Sequence, residues 1–79
     1  MTESSITVKN DIGSDAAARL VQCAGRFKSQ ISLVSAEKTA NAKSMLGIIS
    51  MDVQKGNIIK IMASGEDESE ALSELKNLL

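Results

Sequence analysis

An α+β fold, with helices gathered on one face of a sheet, is predicted for this 79-residue chain by three features of its sequence. Apolar residues alternate with polar ones in short stretches around Ile6–Val8, Ile31–Leu33 and Ile59–Ala63, the period of a half-buried strand. Others recur at helical spacing from Ala17 to Phe27 and from Ala71 to Leu79. The two patterns interleave as β-α-β-β-α-β-α, and a sheet with its helices on one side buries both kinds of stripe.

In the first strand, SITVKN, Ile6, Val8 and Asn10 share one side, and the strand ends at Asp11-Ile12-Gly13. The first helix follows from Asp15, with Ala17, Leu20, Val21, Ala24 and Phe27 inward, Arg19, Gln22 and Arg26 outward, and Ser14 or Asp15 as N-cap. Ser29 to Ser35, carrying Ile31 and Leu33, pairs as a hairpin with Glu37 to Ala42. Ser44 to Asp52 holds Met45, Leu46, Ile48, Ile49 and Met51, too many apolar residues for one narrow stripe, so part of its surface is expected to be exposed. Lys55-Gly56-Asn57 reads as a turn into a strand from Ile58 to Ala63, with Ile59, Ile61 and Ala63 inward. Gly65 ends that strand. Asp67 and Glu70 have the spacing of a capping box, and Ala71, Leu72, Leu75, Leu78 and Leu79 form the stripe of the last helix.

A chain this short is expected to form one domain, residues 1–79. With 43% hydrophobic and 24% charged residues its composition is that of a soluble globular protein. Phe27 is the one aromatic residue, which leaves no platform for stacking nucleic-acid bases. The net charge of -1 conceals an acidic last segment (Glu66, Asp67, Glu68, Glu70, Glu74) and a mildly basic remainder. No cluster of Lys and Arg has the density of a phosphate-backbone footprint. No apolar run approaches the ~20 residues of a membrane span. Cys23 has no partner for a disulfide and no signal-type segment stands at the N-terminus, so the cytoplasm is the expected compartment. Cys23 itself reads as a small buried hydrophobe. No P-loop, nucleotide fingerprint, nucleophile triad or metal-ligand spacing is present, so no catalytic residue, cofactor or metal is expected.

The segments LVQCAGRF, KTANAKSMLGIISM, KGNIIKI and ASGEDESEAL, in that order, resemble HPr, the phosphocarrier family of the bacterial sugar phosphotransferase system, from Ile6 onward. The resemblance implies an open-faced β-sandwich: a four-stranded antiparallel sheet covered on one face by three helices. It also implies a phosphohistidine at the start of the first helix, within the family's Gly-Ile-His-Ala-Arg-Pro-Ala. There free helix amides and an arginine stabilise a phosphoryl group on an imidazole suited to transfer near neutral pH.

The corresponding stretch here is Gly13-Ser14-Asp15-Ala16-Ala17-Ala18-Arg19, and the chain contains no histidine. The active-site Arg and helix-starting Pro are also missing, and the loop is shorter than the family's. Gly13, Ser14, Asp15 and Arg19 therefore read as a degenerate active-site region. Asp15 as an aspartyl-phosphate acceptor lacks the usual metal-binding carboxylates and lysine nearby, and a helix-start role suits it better.

The family's Lys-Ser motif is retained as Lys43-Ser44. The resemblance implies that Ser44 is a regulatory phosphorylation site for HPr kinase/phosphorylase, whose product binds a catabolite-control repressor. It is equally an N-cap, and the two roles are compatible. Lys43, Met45, Leu46 and Ile49 match the patch through which HPr-type proteins dock their partners, and Ile48 and Met51 are assigned to the core. Two functions follow from the resemblance. One is a regulatory relative of the Crh type, which also lacks the histidine but keeps the neighbouring Arg and Pro; its partners would be the kinase, the repressor and enzyme I without phosphotransfer. The other is a degenerate binding protein of the same fold. A monomer or weak dimer is expected, since histidine-lacking relatives have exchanged their first strands.

Overall fold

Along residues 58–64 every second side chain is aliphatic and buried, so this strand can lie only in the middle of a sheet with one covered face. The computed structural model, which describes residues 1–79, shows that arrangement. Its elements are β1 (Thr2–Thr7), α1 (Ser14–Gly25), β2 (Gln30–Ser35), β3 (Lys38–Asn41), α2 (Met45–Ser50), β4 (Ile58–Ser64) and α3 (Glu68–Leu78), in the predicted order. The four strands are antiparallel throughout and lie in the order β1-β4-β2-β3. Leu33 stands opposite Ile61 and Ile31 opposite Ala63, which stacks the inward residues of β2 and β4 into one layer. α3 packs over β1 and β4, α2 over β3, and α1 against both other helices.

Ala17, Leu20, Ala24, Ile31, Leu33, Ile48, Ile59, Ile61, Ala71 and Leu75 are buried between sheet and helices. Each fully buried Leu or Ile contributes roughly 1.5–3 kcal/mol of burial free energy. The small alanines let helix backbones approach the sheet closely, as a core without large rings requires. The opposite face of the sheet carries exposed Glu3, Ser5, Ile58 and Lys60.

Several boundaries differ from the sequence expectation. β1 runs Thr2–Thr7 instead of Ser5–Asn10: Ile6 is half-buried, Val8 is buried just beyond the strand, and Asn10 is exposed. The strand leaves the sheet at Thr7 because its last β4 partner is Ile58, and Val8 then bonds to the turn, its N–H donating to the Asn57 carbonyl. In α1 the N-cap is Gly13, and Ser14 and Asp15 are exposed first-turn residues with no capping bond. The helix stops at Gly25, so Phe27 lies beyond it, half-buried. Cys23 is buried, as its reading as a small hydrophobe implies, whereas Val21, expected inward, is only half-buried. Leu78 is largely exposed, while Leu79 after the helix turns into the core.

The largest departure concerns Asp67. It occupies the N-cap position of α3 but makes no capping bond. Its carboxylate instead accepts from the Lys28 N–H (2.9 Å), the Ser29 N–H (3.0 Å) and the Ser29 hydroxyl. Glu70 is exposed. Neighbouring Glu68 accepts from the Thr2 hydroxyl and the Gly65 N–H and pairs with the N-terminal ammonium at 3.2 Å. These two acids therefore tie α3 to the starts of β2 and β1. The Ser29 hydroxyl, followed by the Lys28 amide, holds the Asp67 carboxyl below its usual range; the Thr2 hydroxyl and the Gly65 amide do the same for Glu68.

Gly65 makes this junction possible. Its φ of +153° suits glycine, and a Cβ there would stand 2.6 Å from Ser29 Oγ and 2.7 Å from Ser29 Cα. Gly65→Ala is accordingly expected to cost about 2–5 kcal/mol, as the added strain and overpacking have no flexible neighbour to absorb them; urea unfolding measures it.

Both depressed carboxyls contribute stability that is fully present above their unfolded-state values and is lost as pH falls through the lower folded-state values. The urea midpoint should therefore decline between about pH 5 and pH 3. Asp67→Asn should lower stability near neutral pH and flatten that decline.

Candidate functional site

The loop before α1 is held against the turn before β4. The Ile12 N–H donates to the Val53 carbonyl (3.0 Å), the Gly56 N–H to the Val8 carbonyl (2.9 Å) and the Lys55 N–H to Asp11 Oδ1 (2.7 Å). Ile12 and Val53 are buried between them. This brace sets where α1 begins. Gly13 accepts the first intrahelical bond from the Ala17 N–H at 2.9 Å, and a side chain on Gly13 would meet nothing within 4 Å.

Ser14 and Asp15 follow on the surface. Asp15 and Arg19 have the i, i+4 spacing of a helical ion pair, yet the ion pairs of the structure are those of Glu68 and of Lys60 with Glu3. Arg19 lies along a shallow groove with Gln22, Cys23, Arg26 and Leu78. Gly13, Ser14, Asp15 and Arg19 are thus close together in space but bonded to no common centre.

The second region is built on α2. The backbone bends at Asn41, whose carbonyl accepts from the Ser44 N–H (2.9 Å) and whose side chain accepts from the Lys43 N–H (2.8 Å). Ser44 is the N-cap, its hydroxyl accepting from the Gly47 N–H at 3.2 Å. A serine there satisfies one of the helix's free amides. The six residues of α2 carry four apolar side chains and Met51 follows as the C-cap, too many to turn inward together. Ile48 and Met51 enter the core, Met45 packs half-buried at its margin, and Leu46 (78% exposed) and Ile49 (42%) face solvent. Met45, Leu46 and Ile49 therefore stand beside Ser44 on one short element, with Ile48 and Met51 on its inner side.

Lys43, expected in the docking patch, is exposed and also makes a contact within the fold. Its ammonium donates to the Phe27 carbonyl at 2.8 Å, joining α2 to the segment just after α1. The Arg26 guanidinium lies 6.0 Å from the Phe27 ring centre and donates to Cys23 Sγ at 3.6 Å. The long-range bond from Lys43 to Phe27 carries no sequence signature, because carbonyl acceptors have no residue type. Gly47 does have one, a glycine between apolar residues within a short helix.

Residues 2–79 match the protein family described as "PTS HPr component phosphorylation site". The chain is 35% identical over 80 residues to the phosphocarrier protein HPr of Xylella fastidiosa (strain Temecula1), covering 99% of this chain and 90% of that protein. It is 40% identical over 70 residues to the HPr-like protein Crh of Bacillus subtilis, covering 89% and 82% respectively. In three dimensions it superposes on HPr from Thermoanaerobacter tengcongensis with a TM-score of 0.95 at 42% identity, over 99% of this chain and 90% of that one.

The Lys43 ammonium, bonded to a carbonyl beyond the C-terminal end of α1, makes a charge-assisted hydrogen bond in a solvent-accessible setting. Lys43→Met, which keeps most of the stem, is expected to lower stability by about 0.5–1.5 kcal/mol in urea unfolding.

Proposed function

The chain belongs to the HPr family, and on that footing we propose that it is a regulatory member, acting through phosphorylation of Ser44 and docking by the surface around it. The observation that carries this reading is the position of a modifiable hydroxyl next to exposed Leu46 and Ile49, in a chain with no histidine. Relay of phosphate through an imidazole needs an imidazole. A serine at the edge of an apolar patch offers another use of the same scaffold: adding roughly -1.5 to -2 charge units changes which surfaces the patch accepts, with no need to refold the sheet.

The partners proposed are HPr kinase/phosphorylase as modifying enzyme, a catabolite-control repressor as reader of the phosphorylated form, and enzyme I as a docking partner without phosphotransfer. No nucleic-acid or membrane partner is proposed; no helix is long and apolar enough to cross a membrane. The cytoplasm is the proposed compartment. Lys43, Met45, Leu46 and Ile49 form the docking surface in this scheme, with Lys43 also holding the start of α2 against the Phe27 carbonyl.

A degenerate binding protein without any phosphorylation is the second reading. It is favoured by the first turn of α1, where Ser14, Asp15 and Ala16 stand in place of the Arg and Pro that histidine-lacking relatives of the Crh type retain.

Intact-mass spectrometry after separate incubations with ATP plus HPr kinase/phosphorylase and with phosphoenolpyruvate plus enzyme I distinguishes these readings. One phosphate from the kinase, absent in Ser44→Ala, and none from enzyme I is the expected result. No phosphate in either reaction would select the binding protein. A phosphate from enzyme I that disappears in Asp15→Ala would overturn the regulatory reading altogether.

A further inference from the structure

Gly47 is the third residue of α2, a position where glycine weakens a helix relative to alanine. Its backbone does not call for glycine, since the left-handed glycines of the chain are Gly56 and Gly65. What distinguishes it is space. A Cβ on Gly47 would lie 3.2 Å from Ser44 Oγ and 3.4 Å from both Ser44 Cβ and Ala40 Cβ, whereas one on Gly25 would meet nothing within 4 Å. Ala40 belongs to β3 and is buried, so α2 cannot move aside in that direction. The amide of Gly47 meanwhile donates to the same Oγ at 3.2 Å.

We infer that Gly47 is a specificity-determining residue for phosphoryl transfer to Ser44, its amide positioning the hydroxyl oxygen and its missing side chain leaving room for the phosphoryl group. The inference rests on the reading of Ser44 as a modified residue. In the transfer, Ser44 Oγ forms a bond to the γ-phosphorus of a nucleoside triphosphate held by the kinase. The bond from that phosphorus to the bridging oxygen breaks, the nucleoside diphosphate leaves with the electron pair, and the hydroxyl proton passes to a base of the kinase. The product carries three further oxygens beside residue 47. A side chain at residue 47, already tight against the single Oγ, would press on those oxygens with buried Ala40 behind it.

Initial rates of phosphorylation by ATP and HPr kinase/phosphorylase, read by intact mass, test this on wild type, Gly47→Ala, Gly47→Val and the control Gly25→Ala. Wild type and Gly25→Ala should take one phosphate at equal rates. For Gly47→Ala kcat/KM should fall about tenfold, through kcat with KM within about twofold, and further for Gly47→Val. Thermal unfolding checks that the variants fold; if Gly47→Val does not, Gly47→Ala decides. Equal rates for wild type and Gly47→Ala, or a loss confined to KM, would overturn the inference while leaving the Ser44 reading intact. A wild-type protein that takes no phosphate would overturn both.

Discussion

β4 is the strand on which the remaining elements depend. It is flanked by β1 on one side and β2 on the other, so the first strand of the chain has its only sheet partner near the opposite end of the sequence. Pairing over that separation requires closing a long loop before the hydrogen bonds form, and the entropy lost must be offset by apolar burial. Ile59, Ile61 and Ala63 supply that burial, facing the helices on a strand whose other face carries Ile58, Lys60, Met62 and Ser64. With no large aromatic side chain in the core, the fit comes from many aliphatic contacts, and alanines at helix and strand positions keep the layers close.

The same strand leads into the junction that fastens the sheet. Beyond β4, Gly65 lies where a side chain would collide with Ser29, Asp67 binds the amides of Lys28 and Ser29, and Glu68 binds Thr2 and the N-terminal ammonium. The start of α3 thus holds the beginnings of β1 and β2, which flank β4. Ser29 is the one buried polar residue, and its hydroxyl and N–H both donate to Asp67, the partner that a hydroxyl in that position requires. The acids at the start of α3 serve the sheet more than they serve their own helix.

The proposed functional surface arises from the shortness of α2. A longer amphipathic helix could have turned all its apolar residues toward the core, but six residues between β3 and the loop to β4 cannot. Leu46 and Ile49 remain outside as a consequence of geometry, next to a serine that the same helix needs as its cap. At the other candidate region, the brace between residues 8–12 and 53–57 holds the start of α1 in place, but the first-turn side chains that remain there, Ser14 and Asp15, bond to nothing.

By itself the sequence determined what depends on near neighbours along the chain. The order of elements, the inward faces of β2 and β4, the N-cap at Ser44, the division of α2 between core and surface, and the absence of an imidazole all follow from residue type and period. Tertiary structure decided the rest. Asp67 leaves its capping geometry because three donors at Lys28 and Ser29 satisfy its carboxylate better than one helix amide, and Lys43 reaches the Phe27 carbonyl because α1 and α2 pack together. Val21 is only half-buried and Leu78 exposed because the packing of α1 against both other helices and of α3 over β1 and β4 sets the rotation of each helix about its axis. Such bonds and rotations join residues far apart in sequence, and their partners are often backbone groups common to every residue, so composition and period carry no trace of them.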